Sequence, residues 1–256
     1  MEEKKTGRRV PAAEGAARLL QVALQAIMQG ELDATLGYDR SQRRHLETGE
    51  KNFRNGYSAR TLRTAFGPVP LAVPRDRGGA YAPRILSRYA RDARGLEEKL
   101  LLLFAQDADT ETFAGQVRAL YETPPSEEEM RHIASHLLPA VRAWQMRRLE
   151  SSYPFIALEI VREQEGVGRT AQMLLGELPD GRREVLGIRL AARPSFRFWI
   201  EALADLRARG TTQPPLFCVG GGTGFRQAVR TLFPAAQVRR GFAPVLGAPE
   251  AVATKA

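Results

Sequence analysis

The order of segments after Tyr153-Pro154 constrains this chain most. Apolar, strand-like runs at Phe155–Val161, Ala171–Leu178 and Glu184–Leu190, the last two separated by the turn Pro179-Asp180-Gly181, read as a three-strand meander. An amphipathic helix over 195–209 follows, then the apolar run Leu216–Val219, the glycines Gly220, Gly221, Gly222 and Gly224, and a helix over 225–232. A βββαβα order requires a sheet with helices layered on it, because each strand face and helix stripe needs an apolar partner.

Upstream the periodicity is different. Leu19, Leu20, Ala23, Leu24, Ile27 and Met28 recur at helical spacing within 12–36, and Gly37 offers a stop. Thr61, Arg63, Thr64 and Phe66, then Val69, Leu71 and Val73 around Gly67-Pro68, predict two short strands and a turn between 57 and 74. Helices are expected over 96–106, 110–121 and 126–148, with Asp109 as a cap and Ser126/Glu129 as a capping box. Three helices with short links also allow a helix-turn-helix-like reading. The fold class predicted is α+β: a helical N-terminal region with a small β element, then a partial α/β layer. The expected organisation is a disordered tail at 1–11, a basic module at 12–95, a helical region at 96–150, the layered domain at 151–240 and an irregular tail at 241–256.

Charge points to the partner. The net charge is +9, and residues 40–94 alone carry thirteen Arg or Lys against four acids, so the flanks together sum to zero. A localised basic patch suits a polyanion such as nucleic acid, and the interleaved aromatics Phe53, Tyr57, Phe66, Tyr81 and Tyr89 suit a folded module. The candidate DNA contacts are Arg54, Asn55, Tyr57, Arg60, Arg63, Arg75, Arg77 and Arg84. Arg75 and Arg77 flank Asp76, so internal ion pairs are an alternative use of them.

Other classes are disfavoured. A single cysteine, Cys218, excludes an internal disulfide framework and a cysteine-rich zinc module. No run of 18 apolar residues spans a membrane, and the charged start is not followed by a signal-peptide core, so a cytoplasmic protein is expected, nucleoid-associated if it binds DNA. The glycine loop after Leu216–Val219 lacks the lysine of a P-loop and the last glycine of a dinucleotide fingerprint, where Phe225 stands. Cys218 reads as an inert thiol. His132 and His136 lie at metal-binding spacing but lack the glutamate between them and a nearby third ligand, so a solvated or packing role is preferred. Of the nine acids after Ser151, Glu159 alone sits in an apolar strand where a metal ligand is expected; its alternative is an edge-strand glutamate facing water.

Several collinear stretches resemble one family. LGYDR (36–40), NFRNGYSARTLRTAFGPVPLAVPRDRGGAYAP (52–83), LEEKLLLLFAQDADTETF (96–113), LPAVRAWQMRRLESSYP (138–154), GRREVLGI (181–188), FWIEALADLRARG (198–210) and FCVGGGTGFRQAVRTLFP (217–234) are similar to Mutator-like bacterial insertion-sequence transposases. The resemblance implies an N-terminal DNA-binding region and an RNase H-like catalytic domain, whose opening half has the βββαβα order. It also implies DNA partners at insertion-sequence ends, and two Mg²⁺ ions held by an Asp-Asp-Glu triad in intact members.

The departures are at the acids. The family's first aspartate aligns with Glu159 and its second with Gly220; a Cys-x-x-His pair aligns with Gly241 and Pro244. The third acid belongs to a region past residue 256. Two-metal phosphoryl transfer needs carboxylates holding ions about 3.5–4 Å apart, and Mg²⁺ demands near-octahedral geometry. The resemblance therefore implies a truncated transposase that retains DNA binding without catalysis and without a bound cofactor. Its half-domain is expected to leave one sheet face bare and to be marginally stable. Alternatives are a regulatory or scaffolding protein that dimerises or joins an intact transposase, and a residual metal-dependent nuclease using Glu159 with Glu184 or Asp205.

Overall fold

The computed structural model describes residues 13–38, 52–88, 95–106, 108–162, 170–219 and 224–240. The tails expected at 1–11 and 241–256, and Gly220, Gly241 and Pro244, lie outside the described residues. The fold is α+β, with two sheets and helices on both sides of the larger one.

The N-terminal half is built on α1 (Ala13–Leu36). Its stripe of Leu19, Leu20, Ala23, Leu24, Ile27 and Met28 is buried throughout, as the 3.6-residue period predicts. The hairpin of β1 (Arg54–Thr64) and β2 (Gly67–Asp76) is antiparallel, with Thr64 opposite Gly67 at the turn, where Gly67 has φ +100°. β2 contains Pro68, Pro70 and Pro74, which cannot donate to a further strand. Its backbone instead meets α1: Gln21 Nε2 donates to Pro70 O at 2.7 Å. Leu62, Val69, Leu71 and Val73 turn into the same core as α1.

Four further helices follow: α2 (Arg84–Arg88), α3 (Leu96–Leu102), α4 (Thr110–Arg118) and α5 (Glu127–Gln145). The predicted caps form: Asp109 accepts from Thr112 N at 2.7 Å, and Ser126 and Glu129 make a reciprocal capping box. α5 lies against α1 so closely at Gly30 that a Cβ there would strike the Ile133 backbone. The five-residue α2 is too short to carry a helical period in its sequence.

The second sheet has the order β5-β4-β3-β6-β7, made of β3 (Ile156–Arg162), β4 (Thr170–Glu177), β5 (Arg183–Ala191), β6 (Leu216–Val219) and β7 (Gln237–Arg240). β3, β4 and β5 form the antiparallel meander; β6 runs parallel to β3 and β7 parallel to β6. The helices α6 (Phe196–Ala208) and α7 (Phe225–Leu232) connect and cover these strands. The βββαβα order is present, and β7 extends it by a strand whose four residues include one apolar side chain, too little for a periodic signal.

Both faces of this sheet are covered. On one, Ile156, Leu158, Leu174, Leu186, Phe217 and Val219 pack against Trp199, Leu203 and Leu206 of α6 and Phe225 and Val229 of α7. On the other, Ala157, Ala171, Met173, Leu175, Val185 and Ile188 belong to one cluster with α1, the hairpin, α3 and α5. The bare second face expected from sequence is therefore corrected: the N-terminal helices supply its cover. Gly15 of α1 approaches the Glu184 backbone of β5 where a Cβ would not fit.

Candidate nucleic-acid interface

The hairpin divides the predicted contacts into two groups. Arg54 and Arg84 each bond to a carboxylate of the protein. Arg54 Nη2 donates to Asp33 Oδ1 at 2.5 Å and to Tyr38 O at 2.9 Å, with its guanidinium 4.6 Å from the Tyr38 ring centre. Arg84 donates to Glu129 Oε1 at 2.5 Å and to Thr123 O at 2.7 Å, over the Tyr121 ring. Each guanidinium spends two of its five N–H donors in these bonds.

Asn55, Tyr57, Arg60, Arg63, Arg75 and Arg77 are exposed. Tyr57 is 48% exposed, and a bulge between Arg54 and Tyr57, with Gly56 at φ +71°, turns this end of β1 outward. Arg60, Arg63, Arg75 and Arg77 have no ion-pair partner among the described residues. Asp76 does not pair with its neighbours. It accepts from Asn52 Nδ2 at 2.5 Å, Ala80 N at 2.7 Å and Tyr81 N at 3.3 Å, bonds that hold its carboxyl below the usual range and close the loop after β2. Arg75 and Arg77 are left facing solvent.

Two buried carboxylates on α1 anchor this arrangement, and neither is among the residues that the sequence pattern singles out. Asp33 receives Arg54 from β1 and, at 2.7 Å, His136 Nε2 from α5. Burial raises its pKa, but the bonds from His136 and Arg54 outweigh that and leave it lowered. Glu31 accepts from Tyr81 and Tyr121 hydroxyls and from the Arg84 and Ile85 amides at 2.8–3.2 Å; burial nevertheless dominates and its pKa is raised. The signal in the sequence is an acid interrupting an otherwise apolar helix. His136 thus ties α5 to α1 through a polar bond to Asp33.

The zero sum of the flanks conceals a division. Residues 95–182 hold fifteen acids against nine bases, a net of −6, whereas 183–240 hold ten arginines against three acids, a net of +7. The first region contains α3, α4 and α5, the helices of the helix-turn-helix-like reading. α5 opens on Glu127, Glu128 and Glu129, and Arg118 of α4 is bonded to Glu127 at 2.9 Å. A net negative charge of this kind disfavours a polyanion.

Glu159 lies on the central strand and is 6% exposed, which corrects the edge-strand alternative. It pairs with Met173 on β4. The preceding residue, Leu158, pairs with Val219, the last residue of β6. The other acids suggested as improvised ligands are held elsewhere: Glu184 by Tyr153 and, at 3.6 Å, Arg147; Asp205 by Arg209 at 2.6 Å and Gln106 at 3.0 Å. No group of three His, Cys, Asp or Glu able to hold a metal occurs among the described residues. Cys218 is half-buried and burial raises its thiol pKa, against a nucleophilic role. Among the described residues no helix is long and apolar enough to cross a membrane.

Comparison with known proteins agrees with this architecture. Residues 2–244 match the family described as "Transposase, Mutator family". The chain is 30% identical over 215 residues to the transposase for insertion sequence element ISRM3 of Rhizobium meliloti, covering 82% of this chain and 52% of that protein. It is 28% identical over 225 residues to the IS1201 transposase of Lactobacillus helveticus, covering 86% and 60%. It is also 28% identical over 202 residues to the IS256 transposase in transposon Tn4001 of Staphylococcus aureus, covering 77% and 50%. The chain thus spans about half the length of these relatives. On this match, which runs through both the hairpin and the central sheet, the chain belongs to the Mutator family of transposases.

Proposed function

We propose that this chain binds duplex DNA through the β1–β2 hairpin and does not itself carry out metal-dependent strand transfer. The observation that carries the reading is the set of four exposed hairpin arginines, Arg60, Arg63, Arg75 and Arg77, without ion-pair partners among the described residues. Asp33 and Glu31 fix the hairpin and the loop after it to α1, so the arginines are presented on a rigid frame. Planar guanidinium groups suit phosphate oxygens, and the relatives' insertion sequences make their terminal DNA the natural target.

The Mg²⁺ pair implied by the family does not fit the residues present. Glu159 is one carboxylate, one methylene longer than aspartate, and Gly220 offers no side chain. One misplaced carboxylate cannot hold two ions in register.

A low-salt mobility-shift assay on duplex DNA, paired with a cleavage assay in Mg²⁺ and in Mn²⁺, tests the proposal. The expected result is a shift that weakens when Arg60, Arg63, Arg75 and Arg77 become Ala, with no strand cleavage. An unchanged shift in that variant overturns the hairpin assignment. Cleavage that is abolished in Glu159→Ala overturns the catalytic one.

A further inference from the structure

The +7 of residues 183–240 is concentrated toward its end. No Asp or Glu occurs between Leu206 and Pro249, while Arg207, Arg226, Arg230, Arg239 and Arg240 fall in that span and are exposed. The acids just before it are engaged: Glu201 with Arg197 at 3.0 Å and Asp205 with Arg209 at 2.6 Å. Among the described residues no carboxylate pairs with Arg226, Arg230 or Arg240.

α7 is built against helical preference on its outer side. Arg226 occupies the first turn, where the helix dipole disfavours a cation. Arg230 is its i+4 neighbour, so the two like charges repel. Opposite these, Phe225, Ala228 and Val229 are fully buried, so the helix is fixed in orientation and cannot turn the charges away. Arg207 braces its far end, donating to Leu232 O at 3.1 Å. An exposed violation of local charge rules, held rigid and without an internal counter-charge, is relieved by an external anion.

We propose that the α7–β7 end of the sheet, centred on Arg226, Arg230 and Arg240, is a second phosphate-contacting surface that takes a segment of duplex DNA. It lies on the opposite side of the five-stranded sheet from the hairpin. α7 packs on the face of Leu158 and Phe217, the hairpin in the cluster on the face of Ala157 and Met173. A short straight duplex cannot touch both faces, so the two surfaces hold separate segments.

Fluorescence anisotropy with a short labelled duplex, using the full chain, measures both stoichiometry and salt dependence. The wild type binds two duplexes. Arg226→Ala/Arg230→Ala binds one, and the log-log salt slope of the second site, about 0.9 per neutralised phosphate, disappears with it. Arg226→Lys/Arg230→Lys retains two, and unchanged thermal melting shows that each variant is folded. Wild-type stoichiometry and slope in the alanine double variant overturn the proposal. So does displacement of the duplex by polyglutamate as effective as by DNA of equal charge, which would indicate an acidic protein partner. If the hairpin quadruple variant binds like wild type while the double variant releases one duplex, the hairpin reading fails and this one stands.

Discussion

Asp33 on α1 holds the Arg54 guanidinium of β1 at 2.5 Å, with the carboxylate side chain wholly buried and the arginine 21% exposed. The bond takes one arginine out of the basic surface and uses it to fix the rest. Asp33→Asn leaves Arg54 with an uncompensated charge in a part-buried setting, expected to cost about 3 kcal/mol and to lower the melting temperature by roughly 6–12 °C. Differential scanning calorimetry checks this.

The two α1 carboxylates respond to acid in opposite senses. Asp33 has a lowered pKa, so its stabilisation is present above its ordinary value of 3.8 and lost as pH falls through the lower folded value. Glu31 has a raised pKa, so its contribution is present below 4.5 and lost as pH rises through the folded value. The stability gap between wild type and Asp33→Asn, read from urea midpoints, is therefore expected to be full at pH 6 and to shrink below pH 4.

Glu31→Gln tests the donor cage. Its two oxygens accept two tyrosine hydroxyls and the Arg84 and Ile85 amides. A glutamine turns an NH₂ toward donors, and a backbone N–H cannot rotate to accept. A loss of about 1–3 kcal/mol is expected, with faster amide exchange at Arg84 or Ile85 as the local readout.

Gly30→Ala places a methyl against the Ile133 backbone. Although alanine is the better helix former, the clash separates α1 from α5 and is expected to destabilise by about 1–3 kcal/mol. A melting temperature at or above wild type would show that the helices can slide apart at no cost.

Much of this fold is legible in the sequence because it is periodic. The α1 stripe, the meander, β6 and α7 follow from apolar spacing, and Ser126 and Glu129 announce their own cap. Position in the sheet is not legible: nothing local tells Glu159 on a central strand from a glutamate on an edge, and nothing in 151–240 reveals that α1 covers the second face. Arg54 and Arg60 look alike in a charge count, yet Asp33, 21 residues upstream of Arg54, binds the one and leaves the other exposed. The basic end at α7 is hidden by the acids of 95–182, because a sum over both flanks cancels them.

The most direct measurement is the salt dependence of duplex binding, by anisotropy, for wild type and the Arg60, Arg63, Arg75 and Arg77 alanine variant. The log-log slope is expected to become shallower by up to about 3.6, at about 0.9 for each phosphate that an arginine no longer neutralises, with melting unchanged. An identical slope and affinity in the variant would contradict the hairpin as the DNA-binding surface.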